Sequence, residues 1–476
     1  MKDLLKLAKI FRPIDPAGSP PGLPIYRLNQ SAHSIFYTPN LVSVVDAEMG
    51  DSLQDLILGK PSPEVPGKLV ECKTRILHQA QKSLRTFLGF RDDAFEPECL
   101  TLYLHNQCQL DCAYCLIERR PIQKVHLHPK DVAAGAKIVA ANCKRKGLIM
   151  TEVFHGWGEP TYDLPLLQTM VKAADEIAIE KGLQQYRYIA TNGVISPEAA
   201  EYLSHNFDLV GLSCDGPEDI QNNQRPLIKS GKSSEFVKRT ASILKANGRS
   251  ISVRTTITKK TYQHQEEIAD YILNQFKPDE IHFEPVYRAG VKGFKIKDAQ
   301  EFVDNFQRAK SLASSKGVSL TFSGSRLNEI HGPYCNIFRN VLNLLPGQKA
   351  TACFAEASAS PDYRFVIGEI KGKGLWLNME KVRKLKIALS RHPESCKYCF
   401  NHFHCAGICP DECFLSADNI EKRDYAEKFR CRVQLLMAAL QILSNANQII
   451  DETKTAPLIA CKEIKSQEII TSGTVR

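Results

Sequence analysis

The chain has 476 residues, of which 43% are hydrophobic and 24% charged, and its formal net charge is +9. This length predicts two or three domains, and the composition excludes a disordered, collagenous or low-complexity chain. A small positive excess over such a length indicates an anionic cofactor or an acidic partner rather than nucleic acid. No arginine-rich run or interleaved aromatic patch, which nucleic-acid binding favours, accompanies this charge.

The N-terminus does not resemble a secretory signal. Residues 1–16 contain only short apolar runs and two early prolines, Pro13 and Pro16, whereas a signal peptide needs a continuous apolar segment. The longest apolar stretch near the C-terminus, 435–443, is too short to cross a bilayer. We therefore expect a cytoplasmic protein without membrane association, in which the 16 cysteines stay reduced and clustered cysteines bind metal.

Residues 1–99 are predicted to form a separate N-terminal region. Its segment 13–24 is rich in proline and is expected to be extended. Apolar and β-branched runs then predict three short strands, and a three-to-four-residue spacing of apolar positions predicts a helix. These elements are expected at 26–29, 34–38, 41–46 and 70–87.

Residues 100–325 alternate strictly between short apolar strands and amphipathic helices. This alternation predicts an α/β fold in which helices cover a parallel sheet. Periodicity alone allows an incomplete barrel or a doubly wound sheet, and in both the ligand site lies at the carboxyl ends of the strands. Strands are expected at 100–106, 148–155, 186–192, 209–214, 251–258 and 280–287, with one more at 318–322. Helices are expected at 130–146, 165–181, 197–206, 234–246, 263–275 and 299–316.

Eleven of the cysteines fall into two groups on either side of this alternation. The first group follows the first strand directly and comprises Cys108, Cys112 and Cys115. The second lies in region 326–445, where the alternation stops, and comprises Cys335, Cys353, Cys396, Cys399, Cys405, Cys409, Cys413 and Cys431. The other five are interpreted as small buried hydrophobic residues. The polar stretch 446–476 is expected to fray.

The first group has the residue types that iron–sulfur chemistry needs. Three thiolates in one short loop can hold three irons of a cubane [4Fe-4S] cluster, whose usual protein ligands are four cysteines. A metal site with an incomplete set of protein ligands keeps a position open for substrate. The spacing alone also allows zinc with a fourth ligand from elsewhere, so a zinc-stabilised binding protein remains an alternative for both groups.

Four motifs at the ends of successive strands resemble those of the radical S-adenosylmethionine (radical SAM) enzymes. The first is the Cys-x3-Cys-x2-Cys loop with Tyr114 before its last cysteine, and the second is 155–160, where Trp157 replaces a family glycine. Motifs at 190–193 and 213–217 follow in order. The resemblance covers about residues 100–325 and implies a partial (β/α)6 barrel related to the TIM barrel.

In that family the fourth iron is chelated by SAM, and the reduced cluster transfers one electron to form a 5′-deoxyadenosyl radical. The resemblance implies that Gly158 and Glu159 lie beside the methionine amino group, although Glu159 could instead cap the following helix. The resemblance also implies that Arg225 contacts the methionine carboxylate or the ribose of SAM. Arginine suits a carboxylate because its guanidinium can donate two parallel hydrogen bonds to the two oxygens. The full set of implied SAM contacts is Tyr114, Gly158, Glu159, Asn192, Ser213 and Arg225.

The second cysteine group resembles the SPASM extension of certain radical SAM enzymes, which normally binds two auxiliary [4Fe-4S] clusters. The resemblance therefore implies three clusters in all. One auxiliary cluster would take Cys335, Cys353 and Cys409, with either Cys413 or an open position at its fourth iron. The other would take Cys396, Cys399, Cys405 and Cys431.

SPASM-type enzymes mostly modify peptides or proteins. The resemblance implies hydrogen abstraction from a residue of a ribosomal precursor peptide and a net oxidation, such as a thioether or carbon–carbon crosslink. Auxiliary clusters would give the removed electron a path. An external one-electron reductant such as flavodoxin or ferredoxin would be a further partner. The N-terminal region resembles a small element that binds a leader peptide as an added strand, the alternative being an extension that packs on the barrel.

Other substrates remain open at this point. A radical SAM enzyme that acts on a small-molecule cofactor precursor or on RNA would need no peptide-binding region. Sulfatase maturation is disfavoured because Phe354 follows Cys353, where that group carries an acidic residue. His282 and Glu284 are two positions apart in the sixth strand, so their side chains share one face of it. Both are candidates for a catalytic base, with a structural role as the alternative.

Overall fold

The structure is a computed structural model that describes residues 11–16, 22–61, 65–115, 124–286, 293–332, 337–352, 365–390, 392, 396–405, 429–453 and 456–464. Four of the expected metal ligands lie outside the described residues, namely Cys335, Cys353, Cys409 and Cys413. Phe354, on which the sequence argument against sulfatase maturation depends, also lies outside them.

The N-terminal region forms a small sheet covered by two helices. The three expected strands and the helix are present, and a further helix follows the strands. Its elements are β1 (Arg12–Pro13), β2 (Tyr26–Asn29), β3 (His33–Thr38), β4 (Leu41–Asp46), α1 (Ala47–Leu58) and α2 (Gly67–Asp92). Neighbouring strands β2, β3 and β4 pair antiparallel, as short connections require.

The alternating region folds as the sequence predicts, with one additional short helix, α6. Its strands are β5 (Cys99–Tyr103), β6 (Met150–His155), β7 (Gln185–Thr191), β8 (Leu209–Ser213), β9 (Ser250–Ile257), β10 (Glu280–Pro285) and β11 (Ser319–Thr321). Its helices are α3 (Pro129–Lys146), α4 (Leu164–Lys181), α5 (Pro197–Asn206), α6 (Glu218–Gln224), α7 (Ser233–Ala246), α8 (Gln265–Phe276) and α9 (Ala299–Ser315).

Strand order decides between the two architectures that periodicity allowed. Strands β5 to β10 lie in the sheet in chain order, and all of them are parallel. A doubly wound sheet would reverse its order at a switch point. The described strands therefore form an open, partial (β/α)6 barrel, which confirms the predicted fold class.

Alternate residues of the barrel strands face two different environments. Val210 and Leu212 of β8 are fully buried in the main core beneath the helices. Val153, Tyr188 and Leu209 form a separate cluster on the opposite face of the sheet. Each fully buried aliphatic side chain contributes about 1.5–3 kcal/mol, so the helix-facing core fixes the strands and leaves their carboxyl ends to present polar residues.

The region after the barrel continues the same sheet. Its elements are α10 (Ile337–Asn340), β12 (Val341–Leu345), β13 (Lys349–Thr351), β14 (Val366–Lys371), β15 (Gly374–Leu377), α11 (Met379–Leu389), α12 (Phe429–Glu452) and β16 (Ile459–Glu463). Strand β12 lies parallel to β5, and β13 to β15 add to it antiparallel. The boundary expected near residue 325 therefore does not separate two sheets.

Part of the C-terminal stretch 446–476, which was expected to fray, is ordered in helix α12 and strand β16, and residues 465–476 lie outside the described residues. Residue 446 lies inside α12, and β16 pairs antiparallel with β4. The result is a five-stranded sheet in the order β1-β2-β3-β4-β16. Local polarity could not reveal this pairing because the partner strand lies at the other end of the chain.

Helix α12 is longer than the apolar stretch 435–443 suggested. It has 24 residues and a mean hydropathy of 1.2 in its most apolar window, so by length and composition it could cross a membrane. Half of that window is buried, however. Ala438 and Ile442 share a core cluster with Val42 and Val44 of β4. This packing is that of the core helix of a folded domain.

Candidate functional site

The loop after β5 brings Cys108, Cys112 and Cys115 together, and each is half-buried. Their sulfur atoms are close enough to influence one another's ionisation. Burial raises the pKa of Cys108 to about 11 and that of Cys112 to about 12. A coordinating metal reverses this preference, because it deprotonates a thiol outright. The donor set therefore fits a bound iron cluster.

Backbone hydrogen bonds hold this loop against the end of α6 and the residues that follow it. The amide of Asp111 donates to the Pro226 carbonyl at 2.7 Å, and the amide of Ala113 donates to the Gln224 carbonyl at 2.9 Å. The cysteine loop is thus fixed by backbone that follows the fourth strand of the barrel. Side-chain substitutions in the loop leave these bonds available.

The motif after β6 approaches the cysteine loop closely. A Cβ atom on Gly158 would lie 2.0 Å from the Gln107 carbonyl oxygen, so only glycine permits this approach. The amide of Glu159 donates to the same carbonyl at 2.8 Å. Trp157, which replaces a family glycine, packs in a small cluster with Tyr103. The substitution therefore leaves the contact between the two loops intact.

Glu159 is buried, and its carboxylate joins the ends of two strands. Its Oε2 accepts from the Asn192 amide at 2.7 Å, and its Oε1 accepts from the Thr191 hydroxyl at 2.8 Å. Oε1 also accepts from the Thr161 hydroxyl at 2.6 Å, at the start of the short helix Pro160–Tyr162. Burial raises the pKa of Glu159. The contact with Thr161 is the one that the helix-capping alternative predicts. The contacts with Thr191 and Asn192 join the same carboxylate to the end of β7.

Asn192 connects this network to the first cysteine. Its Nδ2 lies 3.5 Å from the Cys108 sulfur, to which it donates, and its Oδ1 accepts from the Val194 amide at 2.8 Å. Hydrogen bonds to ligand sulfur atoms tune the reduction potential of an iron–sulfur cluster. Asn192 is therefore placed to orient and tune a ligand of the first site.

A buried ionic group lies on the other side of the loop. The Tyr114 hydroxyl donates to Asp215 Oδ2 at 2.5 Å, and Arg225 Nε lies 3.1 Å from the same oxygen. The Arg225 guanidinium carbon is 5.4 Å from the Tyr114 ring centroid. This guanidinium partly opposes the effect of burial on the pKa of Cys112. Ser213 lies nearby at the end of β8, half-buried.

Asp215 is the central residue of this group, and sequence reasoning did not select it. It is fully buried and also accepts from Gln224 Nε2 at 2.8 Å and from the Thr256 amide at 3.0 Å. Its position in the strand-end motif 213–217 was the available signal. Because its partners come from three separate segments, the sequence could not show that one carboxylate joins them.

The two candidates for a catalytic base make contacts within β10, with β11 and with the residues just after β11. His282 Nε2 lies 3.0 Å from Glu280 Oε1, and its Nδ1 lies 2.7 Å from the Thr321 hydroxyl. Glu284 Oε1 accepts from the Ser323 amide at 2.7 Å. These bonds support the structural alternative for both residues.

Three cysteines of the second group lie close enough to a fourth to affect its ionisation. Cys396, Cys405 and Cys431 each raise the pKa of Cys399 electrostatically, in addition to the larger effect of burial. Cys431 lies in the first turn of α12, and Cys405 Sγ donates to Gln434 of the same helix at 3.2 Å. These four are the ligands that the SPASM resemblance assigns to one cluster.

Among the residues that the structure describes, no group of three or more His, Cys, Asp or Glu side chains could hold one metal ion. A cubane places each thiolate on a different iron, so its ligands need not meet at one point.

The second site rests on the N-terminal sheet. The Tyr26 hydroxyl donates to the Cys399 carbonyl at 3.1 Å. The Tyr37 hydroxyl lies 2.6 Å from His404 Nε2. The Phe400 ring stacks on another aromatic ring of that region with centroids 4.4 Å apart. The N-terminal region therefore contacts the second cysteine group directly.

Comparison with known families agrees with this geometry. The model of the Radical SAM superfamily matches residues 102–272, which begin in β5 and end in α8. Residues 102–272 are a radical SAM domain. A radical SAM domain implies SAM and a [4Fe-4S] cluster, and the three thiols of the loop after β5 fit that cluster.

Similar proteins extend the comparison beyond this radical SAM domain. The chain is 27% identical over 214 residues to a cysteine-type anaerobic sulfatase-maturating enzyme of Clostridium perfringens, which is 42% of this chain and 56% of the relative. The match thus spans little more than half of that relative's length. Among solved structures, this fold is similar to that of native anSMEcpe with bound AdoMet and Cp18Cys peptide. The TM-score is 0.55 at 21% identity, and the match covers 74% of this chain and 99% of that chain. Streptococcus suis SuiB bound to S-adenosylmethionine has a TM-score of 0.51 at 14% identity, over 80% and 87%. At these identities the solved structures show a shared fold.

Proposed function

We propose that this chain is a radical SAM maturase that modifies a peptide or protein. With SAM and the cluster bound, the domain would supply a 5′-deoxyadenosyl radical that abstracts hydrogen from a residue of a ribosomal precursor. The proposed outcome is a net oxidation, such as a thioether or carbon–carbon crosslink. The observation that carries this proposal is that Cys396, Cys405 and Cys431 lie close to Cys399, since oxidation of a substrate radical needs an acceptor for one electron.

The residues of the first site would divide the work of holding cofactors. Cys108, Cys112 and Cys115 are the proposed cluster ligands, and Asn192 tunes the first of them through its hydrogen bond. Arg225 places a positive charge beside the loop, where it favours an anionic cluster or a carboxylate. The proposed SAM contacts are Tyr114, Gly158, Glu159, Asn192, Ser213 and Arg225.

We propose three [4Fe-4S] clusters in total. The third would be held by Cys335, Cys353 and Cys409, with Cys413 or an open position at its remaining iron. Anaerobically reconstituted protein should then contain about twelve irons per chain. Saturation near four irons would contradict both auxiliary clusters, and saturation near eight would contradict the third.

The proposed partners are a precursor peptide and an external one-electron reductant such as flavodoxin or ferredoxin, in a cytoplasmic setting. A solved structure of similar fold is bound to a peptide. The N-terminal sheet has the short antiparallel strands that peptide binding by strand addition uses. Its position beside the second cysteine site would bring a bound peptide close to the auxiliary cluster.

The test is to combine reconstituted protein, SAM and a reductant with candidate precursor peptides encoded near its gene. We expect 5′-deoxyadenosine to form and one peptide to lose hydrogen, as measured by chromatography and mass spectrometry. Formation of 5′-deoxyadenosine with turnover of a small molecule or an RNA, and of no peptide, would support the alternative substrates instead.

Sulfatase maturation is the second candidate, because the curated relative carries that name. Phe354 after Cys353 argues against it on the sequence. A cysteine-containing peptide from a sulfatase, incubated under the same conditions, separates the two. Hydrogen loss at that cysteine would favour sulfatase maturation, and an unchanged peptide would favour another precursor.

A further inference from the structure

Two cysteines outside both ligand groups meet in the N-terminal region. Cys72 lies on α2 and is buried, whereas Cys461 lies on β16 and is half-buried. Their sulfur atoms are 2.7 Å apart, although the two residues are separated by 389 positions in the chain. No local sequence pattern relates them, and Cys461 is half-buried, unlike the small buried hydrophobic residue that the sequence predicts.

The distance between the two sulfur atoms is close to that of a covalent bond. A disulfide has an S–S length of about 2.05 Å, so the sulfur atoms at 2.7 Å need to approach by only about 0.7 Å. A change of this size is within the reach of small side-chain rotations.

The two thiols differ in character. A hydrogen bond from Cys72 lowers the pKa of Cys461, and Arg75 lowers it further. The same hydrogen bond and burial raise the pKa of Cys72. Because the thiolate is the nucleophile in thiol–disulfide exchange, the more exposed Cys461 is suited to attack first. Cys72 is then placed to resolve the intermediate.

Strand β16 covers the edge of β4. Its five residues pair with β4 from Ile459 opposite Val45 to Glu463 opposite Leu41. The Leu458 amide also donates to Asp46 Oδ2 at 2.9 Å. An uncovered edge strand presents unpaired backbone groups to other chains. Whatever fastens β16 therefore controls access to this edge of the sheet.

We propose that Cys72 and Cys461 form a reversible disulfide that fastens β16 to the N-terminal region. The Cys461 thiolate attacks a small disulfide such as oxidised glutathione, forms a mixed disulfide and releases one glutathione thiolate. The Cys72 thiol then loses its proton and attacks the Cys461 sulfur, which releases the second glutathione. Two protein thiols are oxidised and one small disulfide is reduced to two thiols. This step is independent of the proposed radical chemistry.

The test uses the full chain with its clusters, equilibrated anaerobically in buffers of increasing oxidised-to-reduced glutathione ratio. After alkylation of free thiols and digestion with trypsin without reductant, mass spectrometry should find peptide 69–73 linked to peptide 455–462. The linked fraction should rise with the ratio and return to zero after reduction. Full alkylation of both cysteines at the most oxidising ratio overturns the proposal.

Matched variants make the result specific. Cys72→Ser and Cys461→Ser should each abolish the linked peptide, whereas Cys143→Ser, at another buried cysteine, should leave it unchanged. Hydrogen exchange at the β16 amides should slow at least about tenfold in the oxidised protein, because strand opening then requires motion of α2 as well. Equal exchange rates in the two redox states would show that the disulfide does not fasten the strand.

Discussion

The two cysteine sites of this protein are built in different ways. The first lies within one loop, 108–115, and its supporting residues follow successive parallel strands. The second draws on segment 396–405 and on helix α12, and it rests on the N-terminal sheet. The first site therefore depends on local loop geometry and the second on long-range packing. We therefore expect substitutions at the second site to leave SAM cleavage at the first site largely unchanged.

The largest effect is expected at the first site. Replacing any one of the three loop cysteines by alanine, in Cys108→Ala, Cys112→Ala or Cys115→Ala, should reduce 5′-deoxyadenosine formation to background. The cluster already lacks a protein ligand at one iron, and each variant would leave a second iron without one. The measurement is chromatography of reconstituted protein incubated with SAM and dithionite. Cys143→Ala, at a buried cysteine on α3, is the control and should retain activity. Undiminished cleavage in any one of the three loop variants would defeat the assignment.

Gly158→Ala should give the next largest loss. The added Cβ would lie 2.0 Å from the Gln107 carbonyl, and the forced shift misplaces the cysteine loop. A misplacement near 1 Å costs about 100-fold in rate, which the same cleavage assay can measure. Gly89→Ala is the matched control, since nothing lies within 4 Å of its added Cβ. Wild-type cleavage by Gly158→Ala would show that the loops tolerate the shift.

The comparison is tested most directly at Cys399 and Cys405. Either one replaced by Ala should leave SAM cleavage within about twofold of wild type, lower the iron content by about four and reduce peptide product about 100-fold. The Tyr26 hydrogen bond is to the backbone carbonyl of Cys399, so substitution preserves it. Iron at the first site and SAM binding must be checked first, because loss of metal can unfold the region.

The outcomes at the second site have separate meanings. If a folded Cys399→Ala or Cys405→Ala variant still forms the full amount of peptide product, the auxiliary cluster has a structural role and does not take part in the reaction. Loss of SAM cleavage in a folded variant would show that the two sites are coupled through the N-terminal sheet or α12.

The smallest effect is expected from Tyr114→Phe. It removes one hydrogen bond to the buried Asp215, which retains its ion pair with Arg225 and its bond from Gln224. Hydrogen bonds to charged groups contribute about 1.5–3 kcal/mol, so kcat/KM for SAM cleavage should fall about tenfold with iron content unchanged. Tyr202→Phe on α5 serves as the control. An unchanged kcat/KM would show that this hydroxyl does not position the loop.

Much of the barrel and of its first site followed from the sequence. Each expected barrel strand occurs within a few residues of its predicted limits, because apolar periodicity reports directly which face of an element is buried. The cysteine loop and the motifs at 155–160, 190–193 and 213–217 follow strands that are parallel neighbours. Their convergence was therefore predictable from chain order alone.

Tertiary structure alone decided the contacts between distant segments. The joining role of Asp215, the pairing of β16 with β4 and the approach of Cys72 to Cys461 all link residues that no local pattern relates. The same holds for the bond from Tyr26 to Cys399. A sequence determines which face of each element is buried through local periodicity, but which buried faces meet depends on packing over the whole chain.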